Sequence, residues 1–185
     1  MYLMYLAGVS KAGVQRFRNH YYYFSWLDSD FQLQRGHWSW FNARNYCRKR
    51  CMDLVSLDTQ QEYDWIKGFM DGKTSGGRQC TGFSVYNIAA NVPYFWTSGR
   101  LCDFDGCDRP DLFPKNINGW FWSATQAAMP PTNSTRSFHD WSHTGGLGVQ
   151  QPDNREETQL HGDTEACLAV LNNYYGDGKI TVGWF

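Results

Sequence analysis

Trp38-Ser-Trp-Phe-Asn-Ala-Arg-Asn-Tyr-Cys47 reads as a capped amphipathic helix. Ser39 stands where a side-chain oxygen can accept a free amide hydrogen of the first turn. Ala43 and Cys47, four residues apart, share one face. This helix is expected to end near Arg50. The run Arg44, Arg48, Lys49 and Arg50 is the densest basic stretch of the chain, and it reads as the solvated face of that helix. Downstream, Met52-Asp-Leu-Val-Ser-Leu57 has the length and β-branched content of a short buried strand. Thr59-Gln-Gln-Glu62 has capping-box spacing, and Trp65, Ile66 and Phe69 form the apolar stripe of a second helix that Gly72 can close. Upstream, Tyr21-Tyr-Tyr-Phe-Ser-Trp26 is aromatic and β-prone and reads as the first strand. Residues 1–20 show no sustained periodicity and are expected to form a leader remnant or a loose arm.

From Thr74 to Gly162 the character changes. Gly, Asn, Asp, Pro and Trp recur with only short apolar runs between them, which predicts long loops joining brief strands. Ala166-Cys-Leu-Ala-Val-Leu171 is the last clear strand. Helices early and strands late give an α+β class, and 185 residues suit one domain. The composition is 42% hydrophobic and 17% aromatic, with nine Trp and eleven Tyr, ample material for a core. The net charge of −1 supplies no basic field for nucleic acid or an anionic membrane surface. No window approaches the ~20 apolar residues of a membrane span. Neither nucleic acid nor a membrane span is therefore expected.

Six cysteines and the sequon Asn133-Ser134-Thr135 point to an oxidising, glycosylating compartment. The apolar run at Met1 to Val9 has no basic segment before it and is broken by Lys11, a poor fit to a signal peptide. The expectation is an extracellular, secreted protein whose leader is missing or mis-assigned. Six cysteines permit fifteen full pairings, and sequence does not choose among them. Cys102 and Cys107 are close enough to close a small loop, and Cys51 with Cys80 is a candidate second pair. A zinc site on Cys102 and Cys107 lacks a second ligand pair at sensible spacing.

Several features recur together in one order: an Ala-x-x-x-Cys helix leading into Leu-x-Ser-Leu (Ala43, Cys47, Leu54, Ser56, Leu57), a second helix opening at Thr59 to Glu62, then Phe95-Trp-Thr-Ser-Gly99 and Trp120-Phe-Trp-Ser123. Gln151-Pro-Asp153 follows, ahead of Glu165-Ala-Cys-Leu-Ala-Val170. On these residues the chain resembles C-type lectin-like domains over roughly residues 21–175. Phe95 to Cys107 and Asn118-Gly-Trp-Phe-Trp122 resemble the secreted arthropod branch of that family. The resemblance implies that residues 21–185 form a double-loop fold with two helices, two small antiparallel sheets and a long loop region carrying the ligand site. Residues 74–90 are not asked for by the family pattern and are a candidate insert.

The resemblance also implies a site. Gln151 and Asp153 flank a proline that is cis in the family, and Glu165 matches a third ligand. There the three side chains bind calcium and hydrogen-bond two vicinal sugar hydroxyls. Calcium takes six to eight oxygen ligands, so three residues are a minimal set. Asp177 is the candidate substitute for a ligand from the Trp-Asn-Asp motif that family members carry next. They continue with two cysteines, whereas this sequence runs Gly176-Asp-Gly-Lys-Ile-Thr-Val-Gly-Trp-Phe185. The partners implied for Cys47 and Cys167 are thus absent, as expected of a truncated or mis-spliced form. The Gln-Pro-Asp order goes with galactose-type sugars, although between Asp153 and Glu165 only His161 offers a ring.

His139, Asp140 and His143, with Ser142 between them, lack both a Gly-x-Ser-x-Gly elbow and a His-Glu-x-x-His spacing and read as a polar loop beside Trp141. No enzyme is expected. The sequence leads to a secreted carbohydrate-recognition protein, calcium-dependent and of galactose type, with glycans or glycoproteins as partners. The alternative is a calcium-independent module that binds proteins or extracellular matrix.

Overall fold

The computed structural model describes residues 3–6, 14–25, 38–70, 94–135, 140–143, 145, 148–154, 164–172 and 180–184. Among them are nine strands: β1 (Leu3–Leu6), β2 (Val14–Phe17), β3 (His20–Phe24), β4 (Asp53–Leu54), β5 (Tyr94–Leu101), β6 (Trp120–Trp122), β7 (Ala127–Ala128), β8 (Cys167–Asn172) and β9 (Ile180–Trp184). The helices are α1 (Trp40–Arg48), α2 (Gln60–Met70) and the single turn α3 (Lys115–Asn118), with a 3-10 turn at Pro110–Leu112. The strands form two antiparallel sheets, one ordered β2-β3-β1-β4 and one ordered β7-β6-β5-β8-β9. The chain is α+β with two small sheets.

Local chemistry explains both long helices. Ser39 accepts the Asn42 amide hydrogen at 3.3 Å, and Ala43 and Cys47 are fully buried on the inner face. On the outer face Arg44 and Arg48 reach Asp53 at 3.6 and 3.1 Å, and Arg50 stacks on the Tyr46 ring. These basic residues therefore serve the surface of the chain itself. At α2, Thr59 Oγ1 accepts the Glu62 amide hydrogen at 3.2 Å, but the Glu62 carboxylate turns to the core, where Tyr22 Oη donates to it at 2.5 Å. Ile66 is fully buried, and Trp65 stacks on Phe17 with ring centroids 4.8 Å apart. The Phe69 side chain and Gly72 lie outside the described residues.

Burial of the Glu62 carboxyl pushes its pKa above the ordinary glutamate range, against the lowering effect of the Tyr22 hydrogen bond. Asp58 is raised for the same leading reason. A carboxyl raised in the folded state favours folding while it is protonated, and that contribution is lost as pH rises through the folded pKa. Glu62→Gln is therefore expected to flatten the decline in stability as pH rises from the ordinary glutamate range and to leave the neutral-pH value no lower. Urea unfolding at a series of pH values measures both.

Two apolar clusters lie on opposite faces of the central strands. Along β8, Leu168 and Val170 join Tyr22, Phe24, Ile66, Trp120 and Trp141, while Ala169 and Leu171 join Tyr23, Trp40, Cys47 and Trp96. Successive strand residues point to opposite faces, so a strand buried on both must be apolar throughout, as Cys-Leu-Ala-Val-Leu is. Indole hydrogens in this dense core find carbonyls: Trp40 Nε1 donates to Thr97 O and Trp96 Nε1 to Trp38 O, both at 2.8 Å. Strand β5 shifts register against β8 between Trp96 and Arg100. A Cβ on Gly99 would lie 2.6 Å from Leu168 Cβ, so only glycine permits this approach.

Three expectations change. Within residues 1–20, Leu3–Leu6 and Val14–Phe17 stand in a sheet, not in a loose arm: β1 lies between β3 and β4, and β2 pairs with β3, so Tyr21 to Phe24 belong to the third strand. Four-residue strands carry too few positions to show a period. The strand at Ala166 to Leu171 is not the last, because β9 pairs with all but the first residue of β8. Glycines punctuate that tail and mask the β-branched run Ile180-Thr-Val182. The strand read at Met52 to Leu57 narrows to Asp53–Leu54, with Val55 to Leu57 buried beside it. The candidate insert 74–90 lies outside the described residues.

A disulfide joins Cys102 and Cys107. Among the described residues Cys51 is exposed and free, and its candidate partner Cys80 lies outside them. Cys51 sits just past the end of α1 in the left-handed conformation, with φ 58°, which aims the chain back toward β4. Cys47 and Cys167 are also free. Burial pushes the Cys47 thiol far up and the Cys167 thiol up to about 11. Both stay protonated and unreactive at neutral pH. Among the described residues no helix is long and apolar enough to cross a membrane.

Candidate functional site

The segment from Asp140 to Asn154 closes on itself. Asp140 is its anchor: its Oδ2 accepts from Tyr63 Oη at 2.9 Å and from Lys67 Nζ at 2.8 Å, both on α2. Burial and the Asp140 charge together push the Tyr63 phenol well above its ordinary value, so it remains a donor. Trp141 is buried edge-on against Trp120 with centroids 5.4 Å apart. Ser142 is fully buried, and its carbonyl accepts the Gln151 amide hydrogen at 2.7 Å. Inside that closure Gly145 N donates to Val149 O and Gly148 N to Gly145 O, each at 2.7 Å.

This pinch brings together residues that the sequence analysis singled out. Gln151 is only 3% exposed, and the Gln151–Pro152 peptide is cis. A Cβ on Gly145 would collide with Gln151 Nε2 and lie 2.8 Å from Val149 O and 3.1 Å from Asp153 Oδ2. Gly145 is thus the floor against which the amide and the carboxylate lie side by side. Across the loop, Glu165 N donates to Asn154 Oδ1 at 3.2 Å, which draws the start of β8 to the same turn. Asn154 takes the left-handed conformation, φ 49°, one that asparagine tolerates better than most residues.

Two oxygens of this turn stand out. Gln151 Oε1 and Asp153 Oδ2 are both buried and have no hydrogen-bond partner among the described residues. A buried polar atom without a partner costs about 1–3 kcal/mol, more when charged, so such atoms call for an explanation. An amide oxygen and a carboxylate oxygen together suit a hard cation that takes oxygen ligands. Among the described residues no three His, Cys, Asp or Glu side chains converge. A calcium site here would therefore combine Asp153 and Glu165 with the Gln151 amide and other oxygens. Asp177 lies outside the described residues.

The remaining candidates separate from this turn. Asp140 is committed to Tyr63 and Lys67, Ser142 is buried and His143 is exposed. His139 lies outside the described residues, so the loop read from these four is described only in part. Asn133 is exposed at a turn where Ser134 N donates to Pro131 O at 2.9 Å, an accessible position for a glycan. Sequence reasoning missed Gly145 and the part that Ser142 plays in building the turn. Glycine and serine in a polar loop carry no signal of their own, and both act through contacts four to nine residues away. A scan against protein-family models, a search of curated proteins and a search of solved structures give no match.

Proposed function

We propose that this chain is a C-type lectin-like carbohydrate-recognition module that binds calcium, and through it a galactose-type sugar, at Gln151, Asp153 and Glu165. The observation that carries the reading is the pair of buried, unpartnered oxygens Gln151 Oε1 and Asp153 Oδ2, on two side chains that both reach Gly145, the first through Nε2 and the second through Oδ2. When bound, calcium would supply coordination positions for two vicinal sugar hydroxyls. Around it, Gln151 Nε2 would donate and the Asp153 and Glu165 carboxylates accept, so an exchange of amide and carboxylate would reverse sugar preference. Glycans and glycoproteins are then the partners, in an extracellular, secreted setting.

A second reading is supported by a separate surface. Phe41 and Phe104 are 56% and 47% exposed, and both rings flank the Arg100 guanidinium, at 5.6 and 5.2 Å from its carbon to the centroids. Paired exposed aromatics around an arginine are what protein interfaces use. On that reading the chain is a calcium-independent module for protein or matrix contacts. Thermal melts of the oxidised protein decide between the two. A rise in Tm with calcium, increased further by galactose but not by mannose, is expected of the lectin. Melts superimposable in calcium and chelator would overturn it in favour of the second reading.

A further inference from the structure

A cleft of about 460 Å³ opens between β6, β7 and the start of β8. Trp122, Met129, Trp141 and Leu168 give it an apolar body, and two carboxylates, Asp58 and Asp140, stand on its wall. Small-molecule sites have this make-up: roughly 300–1,000 Å³, apolar walls and a few convergent polar groups. The two carboxylates differ. Asp140 is already neutralised by Lys67 and bonded by Tyr63. Asp58 accepts from the Thr125 side chain, and among the described residues no lysine or arginine pairs with it. Asp58 is an exposed residue that also feels the charge of His20, and it brings one carboxylate to the wall of an aromatic cleft.

We propose that this cleft binds a small organic cation with an aromatic body, its ammonium paired with Asp58 and its ring held between Trp122, Met129 and Trp141. A hydrogen bond to a charged group contributes more than a neutral one, and indole faces attract cations as well. A neutral molecule of the same shape meets the walls but not the charge. Asp140 and Trp141 belong to the segment that closes on the Gln-Pro-Asp turn, but Asp58, Trp122, Met129 and Leu168 do not, and none of Gln151, Asp153 and Glu165 lines the cleft.

Phenethylamine and its neutral analogue 2-phenylethanol are the probes, titrated by calorimetry into the full oxidised chain in the presence of chelator. The amine is expected to bind saturably and the alcohol about tenfold more weakly. Asp58→Asn should weaken the amine about tenfold and leave the alcohol unchanged. Asp58 also borders a second, more polar cavity beside Glu62 and His20, so a variant on the apolar side locates the ligand. Ala128 is exposed on β7 and lines the cleft, and Ala128→Phe should abolish binding of both probes without lowering Tm. No saturable binding of the amine, equal affinity for amine and alcohol, or an amine affinity unmoved by Asp58→Asn or Ala128→Phe would each overturn the proposal.

Discussion

Trp120→Ala is expected to destabilise the protein by about 3–5 kcal/mol, the range for removing a large aromatic from a packed core. Trp120 is almost fully buried at the meeting point of β6 and the main apolar cluster, and its Nε1 donates to Asn116 O at 3.1 Å. Its removal leaves a cavity against Trp141 and takes that carbonyl's indole donor. At about 2–4 °C per kcal/mol for a chain of this size, Tm should fall by roughly 10 °C. Phe121, the next residue, is only partly buried on the other face of β6, so Phe121→Ala should cost far less, about 1 kcal/mol. Urea unfolding of both variants measures the difference. Trp141 leads into Ser142, whose carbonyl holds Gln151, so Trp120→Ala should also weaken any calcium response.

Asp153→Ala is expected to change sign with the medium. In calcium at about 10–100 times a Kd of roughly 10⁻⁴–10⁻³ M, as in extracellular calcium modules, the parent gains about 1.4–2.7 kcal/mol. That corresponds to a Tm rise of roughly 3–10 °C, and the variant should lose it. In chelator the variant should melt no lower than the parent, because it no longer carries a buried carboxylate oxygen without a partner. A residue that merely held the loop together would lower Tm in both media. Differential scanning calorimetry in calcium and in chelator separates the two cases.

Much of the helical part of the fold was legible because its signals are local. Ser39, Ala43 and Cys47 announce α1 within nine residues, and Thr59 with Ile66 does the same for α2. The Cys102–Cys107 bridge was legible from proximity alone. Strands β1, β2 and β9 were not, since each is four or five residues long, too few positions to show a period. The role of Gly99 was equally hidden: it follows from the closeness of Leu168 on another strand.

The site shows the same division. Gln151, Asp153 and Glu165 were readable as residue types that ligate a hard cation, and their order carried the resemblance. That Gln151 is buried, that Gly145 makes room for it, and that Ser142 pins its backbone all depend on closure of the loop. No property of a single residue encodes that closure. Glu62 went astray for a related reason: its capping-box spacing was real at the backbone, yet the hydroxyl of Tyr22, forty residues earlier, claimed the side chain.

The most direct test of the account is a calorimetric calcium titration of the oxidised chain, with the Asp153→Ala variant alongside. The account predicts saturable binding to one site with a Kd of roughly 10⁻⁴–10⁻³ M, absent in the variant. A titration without saturable heat up to about 10 mM calcium, ten times the weak end of that range, or one unchanged in the variant, would contradict it.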